Sequence, residues 1–136
     1  MHRTVLLAMG LAIALTAGLA HRARAAELVM FDAANCVWCI RWDRDIGRTY
    51  GETAEGRIAP LRKVRLADGI PPDIAIARPV TGTPTFVLVA QGREIGRIIG
   101  YPGQSAFWAD LNALIDRLPN QKPRAVPETP LTQTTF

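Results

Sequence analysis

Two cysteines separated by two residues are the groups in this chain whose type and spacing could do chemistry. They form the motif Cys36-Val37-Trp38-Cys39, after an apolar run and at the start of an amphipathic segment. Residues three apart share one face of a helix, so the two thiols can form a small disulfide loop. Free backbone N–H groups at a helix start stabilise a thiolate at Cys36, whereas Cys39 lies one turn deeper. Thiol–disulfide exchange needs this asymmetry, because an exposed thiolate attacks and a protected thiol resolves the mixed disulfide.

Two other interpretations of the motif compete with redox chemistry. A structural zinc site usually needs four ligands, but the chain has two cysteines, and its two histidines, His2 and His21, lie in the N-terminal segment. A Cu(I)-binding chaperone is an open alternative, because two soft thiolates suit that ion. A purely structural bridge that closes four residues would constrain the unfolded chain little. The motif therefore predicts a redox-active Cys36–Cys39 disulfide with no metal and no other cofactor.

A proline precedes an apolar, β-branched run in Thr83-Pro84-Thr85-Phe86. Proline has no N–H to give to a strand ladder, so its position at the start of a buried strand is unexpected. A cis-proline turn that faces a ligand explains it, and an ordinary trans proline at a strand start is the alternative. The strand–CxxC–helix unit earlier in the chain favours the cis form.

The elements that position these residues follow from local patterns. Apolar and β-branched runs predict strands at 27–31, 61–66, 85–90 and 93–99. Amphipathic spacing predicts helices at 36–48, with Asn35 as the N-cap, and at 105–118. Residues 51–60 are predicted to form a loop, and residues 73–78 one helical turn. The order βαβ followed by ββα predicts an α/β domain, a mixed sheet of about four strands with helices on both faces.

The two ends of the chain have different compositions from the body. A basic start, an apolar run from Val5 to Ala20 and the small-residue pattern Ala23-Arg24-Ala25 are typical of a cleavable signal peptide, residues 1–25. The run would rise about 24 Å as a helix, short of a bilayer core of about 30 Å, and an uncleaved anchor is the alternative. Export implies the oxidising periplasm or an equivalent. Residues 26–118 are predicted to be the domain, and the proline- and threonine-rich residues 119–136 a disordered tail.

Composition limits the partners of this chain. Its 136 residues suit one domain, and 49% apolar content supports a buried core. The net charge is +4, but three of the 16 basic residues lie in the first 25, which leaves 13 against 12 acidic residues. A nearly neutral body lacks the electrostatic footprint of a nucleic-acid-binding protein, so no nucleic-acid partner is expected.

The sequence resembles the thioredoxin superfamily from residue 27 to residue 118. The matching parts are residues 31–39, the Thr83-Pro84-Thr85 turn, the Gly92 hairpin and the Gly100 turn. A narrower resemblance is to the SoxS-type periplasmic thioredoxins of sulfur-oxidation systems. It rests on Met30-Phe31-Asp32, Cys-x-Trp-Cys-Ile-Arg-Trp, Ala59-Pro60-Leu61, Arg78-Pro79-Val80 and residues 83–89.

The resemblance implies a thioredoxin-like fold and a role for each position of the site. It implies that Cys36 is the nucleophile and Cys39 the resolving thiol. It implies that Pro84 is the cis-proline and that the backbone of Thr83 contacts an extended substrate. Trp38 would be exposed beside the thiols, and Gly100 would lie on the rim of the site. The implied activity is reduction of disulfides on periplasmic proteins, such as the carrier protein of thiosulfate oxidation. Electrons would come from a membrane thiol transporter, and we expect a monomer. A disulfide oxidase or isomerase of the same fold is the alternative.

The sequence also departs from the thioredoxin pattern. Thioredoxins carry a buried aspartate six residues before the first cysteine, where this chain has Met30, and the lysine that partners it aligns with Val64. Asp32 or Asp45 could replace the aspartate as proton acceptor, although we expect Asp45 to be a solvated helix residue. Of the other large aromatic residues, Trp42 and Trp108 are predicted to lie in the core.

Overall fold

The computed structural model describes residues 26–119. The predicted signal peptide, residues 1–25, and the tail from residue 120 onward lie outside the described residues, so both remain predictions. Within the described range, no helix is long and apolar enough to cross a membrane.

Four strands form one mixed sheet in the order β2-β1-β3-β4. Their bounds are Glu27–Asp32 for β1, Leu61–Arg65 for β2, Thr85–Ala90 for β3 and Arg93–Ile99 for β4. β1 pairs in parallel with β2 and antiparallel with β3, and β3 pairs antiparallel with β4. The central strand β3 is buried along its whole length, which explains its unbroken apolar run. The predicted α/β arrangement with a mixed sheet of four strands is confirmed.

The hairpin between β3 and β4 turns at Gln91 and Gly92, and both residues have positive φ. A two-residue hairpin loop of this kind matches the twist of the flanking strands, and glycine adopts that conformation without steric cost. The predicted tight turn is therefore confirmed.

Three α-helices accompany the sheet in the described part of the chain. They are α1 at Val37–Trp42, α2 at Ala54–Ile58 and α3 at Gln104–Ile115. A π-helical turn, Asp43–Gly47, continues α1 directly, and short 3₁₀ turns occupy Tyr50–Glu52 and Leu66–Asp68.

The prediction that Asn35 caps the first helix is wrong. Asn35 has φ 60°, a left-handed turn conformation, whereas the cap is Cys36 in an extended conformation. An N-cap residue has non-helical, extended geometry, which Cys36 has and Asn35 lacks.

Two predicted irregular or helical segments also differ from the structure. Residues 51–60 are not a loop, because Thr53 caps α2 by accepting a hydrogen bond from the Gly56 N–H at 2.9 Å. Residues 73–78 do not form a helical turn. Instead Ala75 forms a parallel bridge with Arg93 at the edge of β4.

The three α-helices pack on one face of the sheet, so the prediction of helices on both faces is wrong. Trp42 is fully buried in the larger core, as predicted, with ring centroids 5.1 Å from Phe86 and 5.7 Å from Phe107. Trp108 is half-buried at the margin of this core and stacks on Tyr50.

The second face of the sheet is covered by the connection from β2 to β3, not by an α-helix of the described chain. This connection contributes Leu66, Ile74, Ile76 and Val80 to a smaller core against β1 and β3. Three prolines, at positions 71, 72 and 79, interrupt it, and proline in a helix interior removes a hydrogen bond and clashes. The apolar residues therefore cover the sheet from irregular chain.

Two glycines near α2 provide a matched test of this packing. A Cβ at the buried Gly56 would overlap the backbone carbonyl of Tyr50, whereas a Cβ at the exposed Gly51 has no atom within 4 Å. Gly56→Ala should lower the free energy of unfolding by about 2 kcal/mol, because overpacking forces the backbone to shift. Gly51→Ala should change it by less than about 0.5 kcal/mol. Urea unfolding of both variants is the measurement. Equal free energies of unfolding for the two variants would show that Gly56 is not packed against the Tyr50 carbonyl.

Candidate active site

Three turns meet at one end of the sheet. β1 ends at Asp32, shortly before Cys36; β3 begins directly after Pro84; and β4 ends directly before Gly100. Because β3 is antiparallel to both neighbours, the ends of β1 and β4 lie beside the start of β3. The cysteine motif, the proline turn and the glycine turn therefore lie at the same end.

The two sulfurs form a disulfide, with an S–S distance of 2.13 Å and a Cα–Cα distance of 5.2 Å. Cys36 is half-buried, and its Sγ accepts a hydrogen bond from the Cys39 N–H at 3.2 Å. Cys39 is only 5% exposed and belongs to the larger core. One sulfur can be reached by a substrate and the other is protected.

The helix start explains how Cys36 can act as an anion. The first N–H groups of a helix have no partner within the helix, and a thiolate at the N-cap can accept their hydrogen bonds. Here the Cys39 N–H already points at the Cys36 sulfur. The arrangement can therefore stabilise a thiolate at Cys36, the more accessible of the two sulfurs, when the disulfide is reduced.

The Thr83–Pro84 peptide bond is cis. Pro84 is buried and Thr83 half-buried. The Pro84 carbonyl accepts a hydrogen bond from the Gly100 N–H at 2.7 Å, and the Thr85 hydroxyl donates to the Gly82 carbonyl at 2.7 Å. These bonds fix the proline turn to the glycine turn and to its own strand.

Exposed apolar side chains surround the disulfide. Trp38 is 51% exposed, as the sequence resemblance implies, and Val37 and Ile40 are 71% and 63% exposed. Sequence analysis did not single out Val37 and Ile40; the signal available was their position on the solvent side of an amphipathic helix. The Arg41 guanidinium lies over the Trp38 ring, 5.6 Å from its centroid.

A small cavity of about 200 Å³ lies beside the helix start. It is lined by Trp38, Arg41, Tyr101, Pro102 and Gly103. Tyr101 is buried, and its hydroxyl donates a hydrogen bond to the Asp45 carboxylate at 3.2 Å. Sequence patterns gave no role to Tyr101, because its link to the helix is a contact between residues far apart in the chain.

Asp45 is not the solvated residue that the sequence predicts. Its side chain is 17% exposed, and its carboxylate lies 3.1 Å from Arg44 Nε and 3.6 Å from Arg41 Nε. The hydrogen bond from the Arg44 guanidinium holds the pKa of Asp45 below its ordinary value. The Asp45 carboxylate is therefore held by Tyr101 and by two arginine side chains.

The place of the aspartate that thioredoxins carry is apolar in this chain. Met30 is fully buried, and its neighbour in β2 is Lys63, not Val64, which pairs with Phe31. The Lys63 ammonium binds the Asp43 carboxylate at 2.6 and 2.7 Å. A lysine is thus present beside Met30, but its carboxylate partner lies on the π-helical turn. Asp32, the other candidate acceptor, is 20% exposed and lies 3.9 Å from Arg65.

A known structure shares this fold. The crystal structure of the reduced periplasmic thioredoxin SoxS from Paracoccus pantotrophus matches with a TM-score of 0.66 and 47% identity, over 68% of this chain and 97% of that chain. A thioredoxin of Malassezia sympodialis, Mala s 13, matches with a TM-score of 0.46 and 20% identity, over 68% and 79% of the two chains. No family model and no curated protein matches the sequence.

The four-stranded sheet and the cysteine pair at the helix start define a thiol–disulfide redox protein of the thioredoxin class. The chain belongs to the thioredoxin superfamily and, within it, to the SoxS-like thioredoxins.

The unequal environments of the two sulfurs predict unequal reactivity. In the reduced protein at mildly acidic pH, iodoacetamide should modify Cys36 about tenfold faster than Cys39, because Cys36 is accessible and receives the Cys39 N–H. Fragment masses of the labelled peptide distinguish the two sites. Preferential labelling of Cys39 would reverse the assignment of nucleophile and resolving thiol.

Proposed function

We propose that this protein is a periplasmic thiol–disulfide oxidoreductase that reduces disulfides on exported proteins. The observation that carries the proposal is the Cys36–Cys39 disulfide, with one sulfur at the helix cap and the other in the core. The fold is shared with a periplasmic thioredoxin, SoxS of Paracoccus pantotrophus, and the 47% identity to it supports the narrower assignment.

The reaction consists of two exchanges between sulfurs. The Cys36 thiolate attacks one sulfur of the substrate disulfide, which forms a mixed disulfide and releases the other substrate sulfur as a thiolate. The Cys39 thiol then loses its proton and attacks the Cys36 sulfur. That step closes the Cys36–Cys39 bond and releases the second substrate thiolate. Two electrons pass to the substrate, and its two thiolates take up protons. The protein ends the reaction oxidised, with the Cys36–Cys39 disulfide formed.

The surroundings of the disulfide suit a protein substrate. Val37, Trp38 and Ile40 present apolar surface beside the reactive sulfur, and exposed aromatic residues often anchor interfaces. In this proposal the backbone of Thr83, next to Pro84, pairs with an extended segment of the substrate, as in strand addition. Gly100 lies on the rim of that groove.

The compartment and partners follow from the leader and from the resemblance. Residues 1–25 act as the signal peptide, and the carrier protein of sulfur oxidation is the specific substrate that we propose. Because the reaction leaves Cys36 and Cys39 oxidised, the periplasmic protein needs a reductant, and a membrane thiol-electron transporter supplies it. The protein works as a monomer with no further cofactor and no nucleic-acid partner.

Substitution of the resolving thiol should trap substrates. Cys39→Ser should accumulate mixed disulfides with periplasmic proteins, because Cys36 still attacks and nothing completes the exchange. Cys36→Ser is the matched control and should trap none. The measurement is non-reducing electrophoresis and mass spectrometry of complexes from cells.

The outcomes of this trapping experiment test the exchange mechanism and the specific substrate separately. Mixed disulfides through Cys36 with exported proteins support the proposal, and the sulfur-oxidation carrier among them supports the specific substrate. Trapping through Cys39 in the Cys36→Ser variant, or no trapping by either variant, would contradict it.

A further inference from the structure

An ion pair with buried side chains joins two residues of β4, Glu94 and Arg97. Glu94 and Arg97 have side chains that are 7% and 5% exposed. Arg97 Nε binds Glu94 Oε1 at 2.7 Å, and Arg97 Nη2 binds Glu94 Oε2 at 2.7 Å. Each carboxylate oxygen therefore has an arginine N–H, and the pair is bidentate.

The remaining hydrogen bonds of this pair go to the backbone of one short segment, residues 77–79. Arg97 Nη2 donates to the Arg78 carbonyl at 2.8 Å, and Arg97 Nη1 donates to the Pro79 carbonyl at 3.2 Å. Glu94 Oε2 accepts from the Ala77 N–H at 2.7 Å. Three consecutive residues are thus held by one ion pair.

Apolar packing holds this segment weakly. Residues 77–79 are exposed, as are Thr81 and Gly82, and Val80 is half-buried. A cavity of about 290 Å³ lies beside this segment, and its lining includes Pro79, Thr81 and Ile99. A segment with few buried apolar contacts depends on its polar bonds for a fixed position.

The same segment is followed, after three further residues (80–82), by the Thr83–Pro84 turn. We propose that Glu94 and Arg97 are positioning residues that hold the Thr83 backbone in place for the substrate. Their bonds fix the chain before the turn, and the Gly100–Pro84 bond fixes it after the turn. This inference rests on the proposed function, because it assumes an extended substrate at Thr83.

The energetics of buried charge agree with a positioning role. The free-energy cost of removing two charges from water offsets much of the gain from their attraction. A buried ion pair is therefore weak evidence for added stability. Directional, bidentate hydrogen bonds give geometric specificity instead. The Arg97 hydrogen bond also holds the pKa of Glu94 below its ordinary value, so both groups stay charged near neutral pH.

Arg97→Gln tests the role against a matched control on the same strand. Arg93→Gln removes an equal charge from β4, but the Arg93 side chain is exposed. Single-turnover reduction of insulin, a protein disulfide, is compared with reduction of the small disulfide DTNB, which needs only the accessible sulfur.

The expected result is a split between the two substrates. Arg97→Gln should raise the insulin concentration at half-saturation about fivefold, while the maximal insulin rate and the DTNB rate stay within about twofold. Arg93→Gln should match the unsubstituted protein on both substrates. The double variant Glu94→Gln/Arg97→Gln leaves no unpaired buried charge and should show the same split, even if Arg97→Gln alone folds poorly.

A second measurement does not depend on redox activity. The backbone amides of residues 77, 78 and 80–83 should exchange with solvent about tenfold faster in Arg97→Gln or in the double variant than in Arg93→Gln. Unchanged exchange, unchanged half-saturation, or equal losses on insulin and DTNB would each overturn the positioning role. Failure of the unsubstituted reduced protein to reduce either disulfide would instead reject the proposed function.

Discussion

Trp42 holds the helical segment that carries the cysteines against the sheet. Its fully buried ring contacts Tyr50, Phe86 and Phe107, which come from three different parts of the chain. Because residues three apart share a helix face, burial of Trp42 also turns Cys39 towards the core. Cys36 is three residues before Cys39 and packs against the margin of the same core, but as the N-cap it lies one turn nearer the helix start and is only partly buried. The different exposure of the two sulfurs thus follows from the burial of Trp42 together with the position of Cys36 at the cap.

The two halves of the site are held by different kinds of interaction. The cysteine half stands on a helical segment packed into the aromatic core, whereas the proline half follows exposed chain attached through polar bonds to β4 and Gly100. Apolar packing gives a rigid support for the sulfurs. Polar bonds can place a backbone segment at the surface without covering it, and the strand addition that we propose at Thr83 requires that access.

Local sequence patterns predicted the strands, the tight hairpin and the cysteine motif, because these depend on alternation, turn residues and spacing. The prediction failed where contacts between distant residues decide the outcome. Helices on both faces were expected, but the prolines between β2 and β3 leave irregular chain on one face. Asp45 was expected in solvent, but Tyr101 and two arginines bind it. The Glu94–Arg97 pair has i,i+3 spacing, yet its backbone partners in residues 77–79 are visible only in three dimensions.

The reduction potential of the Cys36–Cys39 pair tests the central claim most directly. The protein is equilibrated with glutathione or dithiothreitol buffers in which the ratio of reduced to oxidised form is known. The fraction of reduced protein is then measured by thiol labelling. A protein that donates electrons to substrates should behave as a reversible two-electron couple with a potential of about −270 mV, as in thioredoxin. A value of about −120 mV, where the couple is a strong oxidant, would contradict the reductive role.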